Sequence, residues 1–401
     1  MLRGDQGMAS VTESRAKLTD PRVEEALERV VAEGEVGIQV AAFLNGERMV
    51  DTWAGVTATG GETEVDGETL FTIFSVSKAV AACALHLQVE RGLLDYDAPV
   101  GRYWPEYAQN GKEDITVREV LLHRAGMPHM PEDVTPERLC DWDWMVARLA
   151  EMTPLVTPGT RNTYHSYTFG WLVGEIVRRS DPAYRPFGEF VQEELCAPLG
   201  IDSLYLGIPP EEEHRVATLV YPNRPTPPPA NDRRWLAAPL AVNFVPEIYN
   251  RSDIRRACLP ASGGIANARS VATLFGMIAG QGELNGTRLL SRKRVLSFLD
   301  PRPDHESIDF IFSGVMLVGM GGMHVDPRGV VRNRAGERIV CQVGAGSSLG
   351  WANLDSGLSF AFCHNRMIVN PVMAATQNSK VLEPPFAELG DALRDLAAER
   401  S

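Results

Sequence analysis

Residues 74–92 read FSVSKAVAACALHLQVERG. The pattern is helical, but it carries a lysine that an ordinary apolar helix would not. Val76, Val80, Cys83 and Leu87 recur at spacings of four, three and four, which predicts one buried face of a helix running from about 75 to 91. Lys78 interrupts that segment in a chain with only five lysines. It stands one turn beyond Ser75, so the spacing brings its ammonium towards the serine hydroxyl. Ser75 falls at the expected helix N-terminus, where free backbone N–H groups and the positive end of the dipole favour a developing oxyanion. A serine hydroxyl is a poor nucleophile until its proton is taken, and a desolvated lysine is one means of lowering that barrier. The competing reading is a serine N-cap followed by a snorkelling lysine. Ser-x-x-Lys alone does not separate the two, since it arises by chance in roughly one chain in four of this composition. It recurs at Ser14 and Lys17 in the polar N-terminal tail, where we read it as accidental.

Upstream, TDPRVEEALERVVAEG (19–34) predicts an amphipathic helix with Thr19 or Asp20 as cap, Pro21 in the first turn, and Val23, Ala26, Leu27, Val30 and Val31 on one face. VGIQVAAFLNGERMVDTWAGV (36–56) predicts two strands joined at Asn45-Gly46. Downstream, helical patterns are expected over 116–123, 136–151, 167–179 and 185–197, and then near 268–280 and 291–299. The proline-rich stretch YPNRPTPPPANDRRW (221–235) cannot pair in a sheet. Strands are expected near 311–318, 338–343, 347–353 and 357–364, followed by a C-terminal amphipathic helix in PFAELGDALRDLAAER. Strands at both ends with helices between predict an α/β (α+β) protein. Its parts are a polar tail (1–18), a discontinuous sheet lobe (19–74 and 261–401) and an inserted, mainly helical lobe (75–260), with the site in the cleft between the lobes.

The totals narrow the function. At 401 residues the chain can bury a full core. Its formal charge of −13 argues against nucleic acid or an anionic membrane as the main partner. No signal-peptide core or membrane-length apolar run is visible, so the expected location is cytoplasmic. The six cysteines form no CxxC pair and read as reduced, mostly buried thiols. No HExxH or HxH pattern suggests a metal, and no cofactor is expected. The Arg3-Gly4-Asp5 tripeptide is accidental in such a protein.

Five segments in order resemble the serine β-lactamase and penicillin-binding-protein superfamily, and within it the class C-like esterases known as family VIII carboxylesterases. LFTIFSVSKAV (70–80) is similar to the nucleophile motif and VREVLLHRAGMP (117–128) to an LLxHxxG segment. PGTRNTYHSYTFGWLVGEIVRR (158–179) is similar to the segment holding the catalytic tyrosine, and ASGGIANARSVATLF (261–275) to a glycine turn and helix. VCQVGAGSSLGWANLDSGLSFAFCHNRM (340–367) is similar to the strand pair with the third motif. The matches span roughly residues 20 to 370. The resemblance implies a β-lactamase/DD-peptidase-like fold, an antiparallel sheet flanked by terminal helices with an inserted helical lobe.

Carried over, Ser75 would be the acylated nucleophile, Lys78 its activating neighbour and Tyr164 the general base, with Lys78 as the cation that stabilises a phenolate. The backbone N–H groups of Ser75 and Ala345 would form the oxyanion hole. Gln342, Gly344, His165 and Trp351 are candidates to line the substrate site. For His165 a structural hydrogen bond is the stronger reading, and for Trp351, Trp142 and Trp144 core packing is as good a one. His123 reads as architectural.

Two departures matter. Gln342-Val343-Gly344 stands where β-lactamases and DD-peptidases have Lys-Thr-Gly, so the cation that attracts a substrate carboxylate is absent. Tyr164-His165-Ser166 lacks the asparagine of Tyr-x-Asn. Both favour a neutral ester or related small-molecule acyl donor over a β-lactam or D-Ala-D-Ala peptide. Gly346-Ser347-Ser348-Leu349-Gly350 fits the G-x-S-x-G elbow of α/β-hydrolases, but that elbow needs a strand before it and a helix after it, and the flanking residues read as strand, turn, strand.

The expectation is therefore a serine hydrolase acting on carboxylic esters through an acyl-enzyme. Alternatives are an acyltransferase using an alcohol or amine acceptor, a β-lactamase or D-peptidase-type amidase, and a non-catalytic binding protein. The segment beyond 370 and the 221–235 loop are the natural places for specificity or for the subunit contacts of a homo-oligomer.

Overall fold

The computed structural model describes residues 16–221, 227–325, 334, 336–367 and 386–400. The tail up to residue 15, with Ser14 and Arg3-Gly4-Asp5, lies outside the described residues, as do 222–226 of the proline-rich connection and 368–385 of the segment beyond 370.

Helix α1 (Pro21–Ala32) begins at Asp20, whose carboxylate accepts from the Arg22 amide, and buries Val23, Ala26, Leu27 and Val30. Strands β1 (Gly37–Leu44) and β2 (Glu47–Gly55) turn at Asn45 and Gly46, with φ of 51° and 85°, as a two-residue hairpin requires. The short β3 (Phe71–Phe74) leads into α2 (Ser77–Glu90). The inserted lobe contains α3 (Trp142–Glu151), α4 (Thr168–Ser180) and β4 (Leu204–Leu206). The chain returns through β5 (Gly264–Ala266) and α5 (Ala268–Ala279) to the small hairpin β6 (Glu283–Leu284) and β7 (Thr287–Arg288). It ends with β8 (His324–Val325), β9 (Ile339–Val343), β10 (Leu349–Asn353), β11 (Leu358–His364) and α6 (Phe386–Arg400).

Six strands form one antiparallel sheet in the order β2-β1-β11-β10-β9-β8, so the C-terminal strands complete a sheet begun by the first hairpin. Both faces are covered, which is why β1 is buried along its whole length. The two-residue period sorts its side chains. Ile38, Val40, Ala42 and Leu44 join Val23 and Leu27 of α1 and Leu389 and Leu393 of α6 on one face. Ala41 and Phe43 point the other way, into a larger core shared with α5, α2 and the inserted lobe.

Several expectations are corrected. Helix α2 is buried all round from Ser77 to Gln88, not on one face, because it is the central helix between sheet and inserted lobe. The segment 136–151 breaks at Cys140 and Asp141, where Asp141 caps α3 through the Trp144 amide. Over 185–197, a helical turn (Phe187–Val191) runs into a π-turn (Gln192–Cys196). The region 311–318 is not a strand; it folds back in turns, with bridges Ile308 to Val315 and Val318 to His324. The lobe assigned as mainly helical also contributes β4 to a second sheet, β3-β5-β4, which fastens it to the nucleophile segment. All six cysteines are free.

Candidate active site

Ser75 lies on the turn between β3 and α2, and the backbone there is forced. Phe74 adopts a left-handed φ of 46°, and the β3–β5 pairing slips register between Thr72 and Phe74. The N-cap of α2 is Val76, without a side-chain cap bond, so the capping reading of Ser75 fails. Ser77 secures the turn instead. Its hydroxyl donates to the Phe74 carbonyl at 2.5 Å and accepts from the Gly264 amide at 2.9 Å. A Cβ on Gly264 would meet Ser77 Oγ at 2.4 Å, so the glycine turn in ASGGIA exists for this close approach.

Lys78 is fully buried. Its Nζ lies 3.1 Å from Ser75 Oγ and donates to the carbonyls of Ser166 and Ala261, each at 2.8 Å. Burial holds its pKa well below the ordinary lysine value. As an amine, Lys78 can donate two N–H bonds to the two carbonyls and turn its lone pair to Ser75; as an ammonium it donates to all three.

Tyr164 closes the triangle. Its hydroxyl receives Gln342 Nε2 at 3.4 Å. Burial pushes that phenol up to about 12, against the pull of the Ser75 and Gln342 side chains. Lys78 Nζ lies 5.0 Å from the ring centroid. The sequence reading made Lys78 a cation beside a phenolate, but in the folded protein burial disfavours both ions.

His123, from the LLxHxxG segment, packs on the ring of Tyr164 at 4.5 Å, in keeping with its architectural reading. The ring is also held by neighbours that no motif announces: His324 packs on it at 6.3 Å, and Phe312 meets it edge-on at 5.5 Å. Asp309 fixes the backbone, its buried carboxylate accepting from the amides of Tyr164 (2.8 Å), Ile311 (2.9 Å) and Phe312 (3.1 Å). Burial raises the Asp309 pKa while these amides lower it. The available signal was an acid in the apolar run Ile308-Asp309-Phe310-Ile311, although nothing in the sequence tied it to Tyr164. Ser166, in the place of the missing asparagine, keeps a buried hydroxyl without a hydrogen-bond partner among the described residues.

Gly344 packs where only a glycine fits. A Cβ there would lie 2.5 Å from the Ile73 carbonyl oxygen and 3.1 Å from Phe74 Cβ. It therefore acts as a close-approach residue. This contact draws half-buried Ala345 up to the Ser75 turn. Neither the Ser75 nor the Ala345 amide donates to a backbone carbonyl among the described residues.

Other candidates are placed elsewhere. Trp351 pairs in register with Cys341, and both join the core beneath α1 and α6 on the sheet face opposite Gln342. The two-residue period that aims Gln342 at Tyr164 thus aims Trp351 away, which overturns its assignment to the substrate site. His165 is fully buried; its Nε2 accepts from the Met127 amide at 3.1 Å and its own amide donates to His123 Nδ1 at 3.0 Å, so it is structural. Trp142 donates to Glu175 Oε2 and stacks on Phe187, while Trp144 packs between Arg138 and Arg148. Ser348 precedes a strand, not a helix, and its carbonyl accepts from the Gly344 amide, so the G-x-S-x-G match is no elbow.

A buried Ser-x-x-Lys pair facing a tyrosine, at the junction of an antiparallel sheet and an inserted helical lobe, defines the class, and the comparisons agree. The chain belongs to the beta-lactamase family, whose model matches residues 20–381. It is 33% identical to the esterase/beta-lactamase LipL of Mycobacterium tuberculosis over 355 residues, 84% of this chain and 79% of that protein. The crystal structure of a family VIII carboxylesterase superposes with a TM-score of 0.83 at 28% identity, covering 94% of this chain and 98% of the other. A penicillin-binding protein homologue from Caulobacter crescentus superposes at 0.82 with 30% identity, covering 95% and 99%. Among the described residues, no helix is long and apolar enough to cross a membrane.

Proposed function

We propose that the protein hydrolyses carboxylic esters through an acyl-enzyme on Ser75. The observation that carries this reading is the Ser75, Lys78, Tyr164 triangle, in which a fully buried amine, pinned by two carbonyls, reaches the serine hydroxyl at 3.1 Å. Ser75 Oγ attacks the ester carbonyl carbon while the Lys78–Tyr164 pair takes the serine proton. The oxygen that gains charge meets the amides of Ser75 and Ala345. When the C–O bond to the alcohol breaks, the pair returns that proton to the leaving oxygen. Water then attacks the acyl-enzyme, gives one proton to the pair and releases the acid, and the proton goes back to Ser75. A Tyr164 phenol near 12 stays protonated at neutral pH and serves as the donor to the alcohol, which leaves Lys78 as the resting acceptor. Gln342 donates to Tyr164 and brings no charge, which supports an ester without an anion at that position. The similarity to a family VIII carboxylesterase supports the choice of ester over amide.

The test is hydrolysis of p-nitrophenyl butyrate by wild type and Ser75→Ala, with products identified in the presence and absence of added alcohols. Free butyrate formed only by wild type is expected. Alkyl butyrate as the main product would move the reading to an acyltransferase, and no turnover would remove it.

A further inference from the structure

Two arginines at the edge of this site stand unlike their neighbours. Arg161 and Arg233 are both exposed, and both approach the ring of half-buried Phe310, their guanidinium carbons 5.7 and 4.4 Å from its centroid. The two charges can be no further apart than the sum of those distances, about 10 Å. Neither guanidinium makes an ion pair or a hydrogen bond with any described residue. The acids beside them are committed elsewhere: Asp304 lies 3.2 Å from Arg124, Asp232 binds Arg234 at 2.8 Å, and Asp309 holds backbone amides. Glu306, on the same turn as Asp304, sits 4.0 Å from His305. In a chain of net charge −13, this gathers two like charges at one ring with no carboxylate paired to either guanidinium among the described residues; Asp232, which acts on Arg233 through space, is bonded to Arg234.

The place is tied to the chemistry. Arg161 precedes Tyr164 by three residues, so its backbone is at most ~11 Å from that of Tyr164. The Phe310 amide donates to the Asn162 carbonyl at 2.9 Å, and Phe312, two residues on, meets the Tyr164 ring. Arg161, Phe310 and Arg233 therefore stand together beside the segment that carries Tyr164, whereas the family's cationic position in the third motif is neutral Gln342.

We propose that Arg161 and Arg233 bind a carboxylate of the substrate, and that the ester this site takes carries that carboxylate at the end remote from the scissile bond, as in half-esters of short dicarboxylic acids. Guanidinium donors match a carboxylate in two-point geometry, and Phe310 preorganises both groups without neutralising them. This rests on the ester-hydrolase reading of Ser75 and adds the substrate class.

The experiment compares mono-p-nitrophenyl glutarate with p-nitrophenyl butyrate in wild type, Arg161→Gln, Arg233→Gln and the double variant. The double variant is expected to lose about tenfold or more in kcat/KM on the anionic ester, chiefly through KM, and to keep the neutral ester within about twofold. The wild-type preference for the anionic ester should shrink as salt rises. Equal effects on both esters, or none, would overturn the proposal while leaving the hydrolase reading, which turnover of the neutral ester and its loss in Ser75→Ala decide separately. Calorimetry with N-benzylglutaramate, an amide of the same length and charge, gives a readout independent of ester turnover: weaker binding by the double variant supports the rim, and equal binding overturns it.

Discussion

Replacing Gly344 with alanine tests how the sheet edge shapes the site. The added Cβ would lie 2.5 Å from the Ile73 carbonyl oxygen and 3.1 Å from Phe74 Cβ, and the nearer partner is backbone, which cannot rotate aside. The third-motif turn or the β3 end must move by several tenths of an ångström. Overpacking of this kind costs about 1–3 kcal/mol of stability. The catalytic cost is larger, because the same movement takes the Ala345 amide away from the Ser75 amide. Losing one oxyanion donor lowers kcat by about 10²–10³, or ~2.7–4 kcal/mol of transition-state stabilisation. The assay pairs steady-state hydrolysis of p-nitrophenyl butyrate with thermal melting. The expected result is a melting point lowered by a few degrees, a KM close to wild type and a kcat down at least about a hundredfold. A Gly344→Ala protein that melts lower but keeps kcat within about threefold would refute the reasoning, since the contact would then serve packing alone.

Other outcomes follow from the same geometry. Lys78→Met should remove almost all turnover, and the pH profile should show why. Activity needs the amine, so kcat/KM rises with pH through the lowered Lys78 pKa and shows no loss at the ordinary tyrosine value near ~10, because Tyr164 ionises only at about 12. Stability should follow the same group. Between the lowered folded pKa and the unfolded lysine value, the unfolded chain binds the extra proton, so stability rises with pH there, and denaturation of Lys78→Met should lack that slope. Asp309→Ala leaves three amides, two of them buried, without their acceptor, costs about 1–3 kcal/mol or more in a melt, and lowers kcat by loosening Tyr164. Trp351→Ala should cost about 3–5 kcal/mol in stability with KM unchanged, because the ring lies across the sheet from the site.

What could be read from the sequence was what repeats or spaces itself locally. The capped first helix, the Asn45-Gly46 hairpin and the three last sheet strands follow from periodicity and turn chemistry, and their positions agree within a residue or two. Ser75 and Lys78 were readable because one helical turn separates them, and Tyr164 because its segment resembles a motif. The surroundings of Tyr164 were not. Asp309, Phe312 and His324 reach it from 145 or more residues away in sequence, the first two from turns where the expected strand at 311–318 gives way to tight folds and the third from β8. The burial of α2 on every side was also hidden, since the core it joins is built from elements distant in the chain. Trp351 shows the opposite failure. Its neighbourhood in sequence suggested the site, and a one-residue step along a strand sent it to the other face.

The central claim is that Ser75 is the residue that becomes acylated. Intact-protein mass spectrometry after brief exposure to a fluorophosphonate and, separately, to p-nitrophenyl butyrate tests it most directly, using wild type, Ser75→Ala and Ser348→Ala. The account predicts one adduct, the phosphonyl or butyryl group left after loss of fluoride or p-nitrophenolate, on wild type and on Ser348→Ala, and none on Ser75→Ala. An adduct that survives in Ser75→Ala, or a wild-type protein that forms none with either reagent, would contradict it.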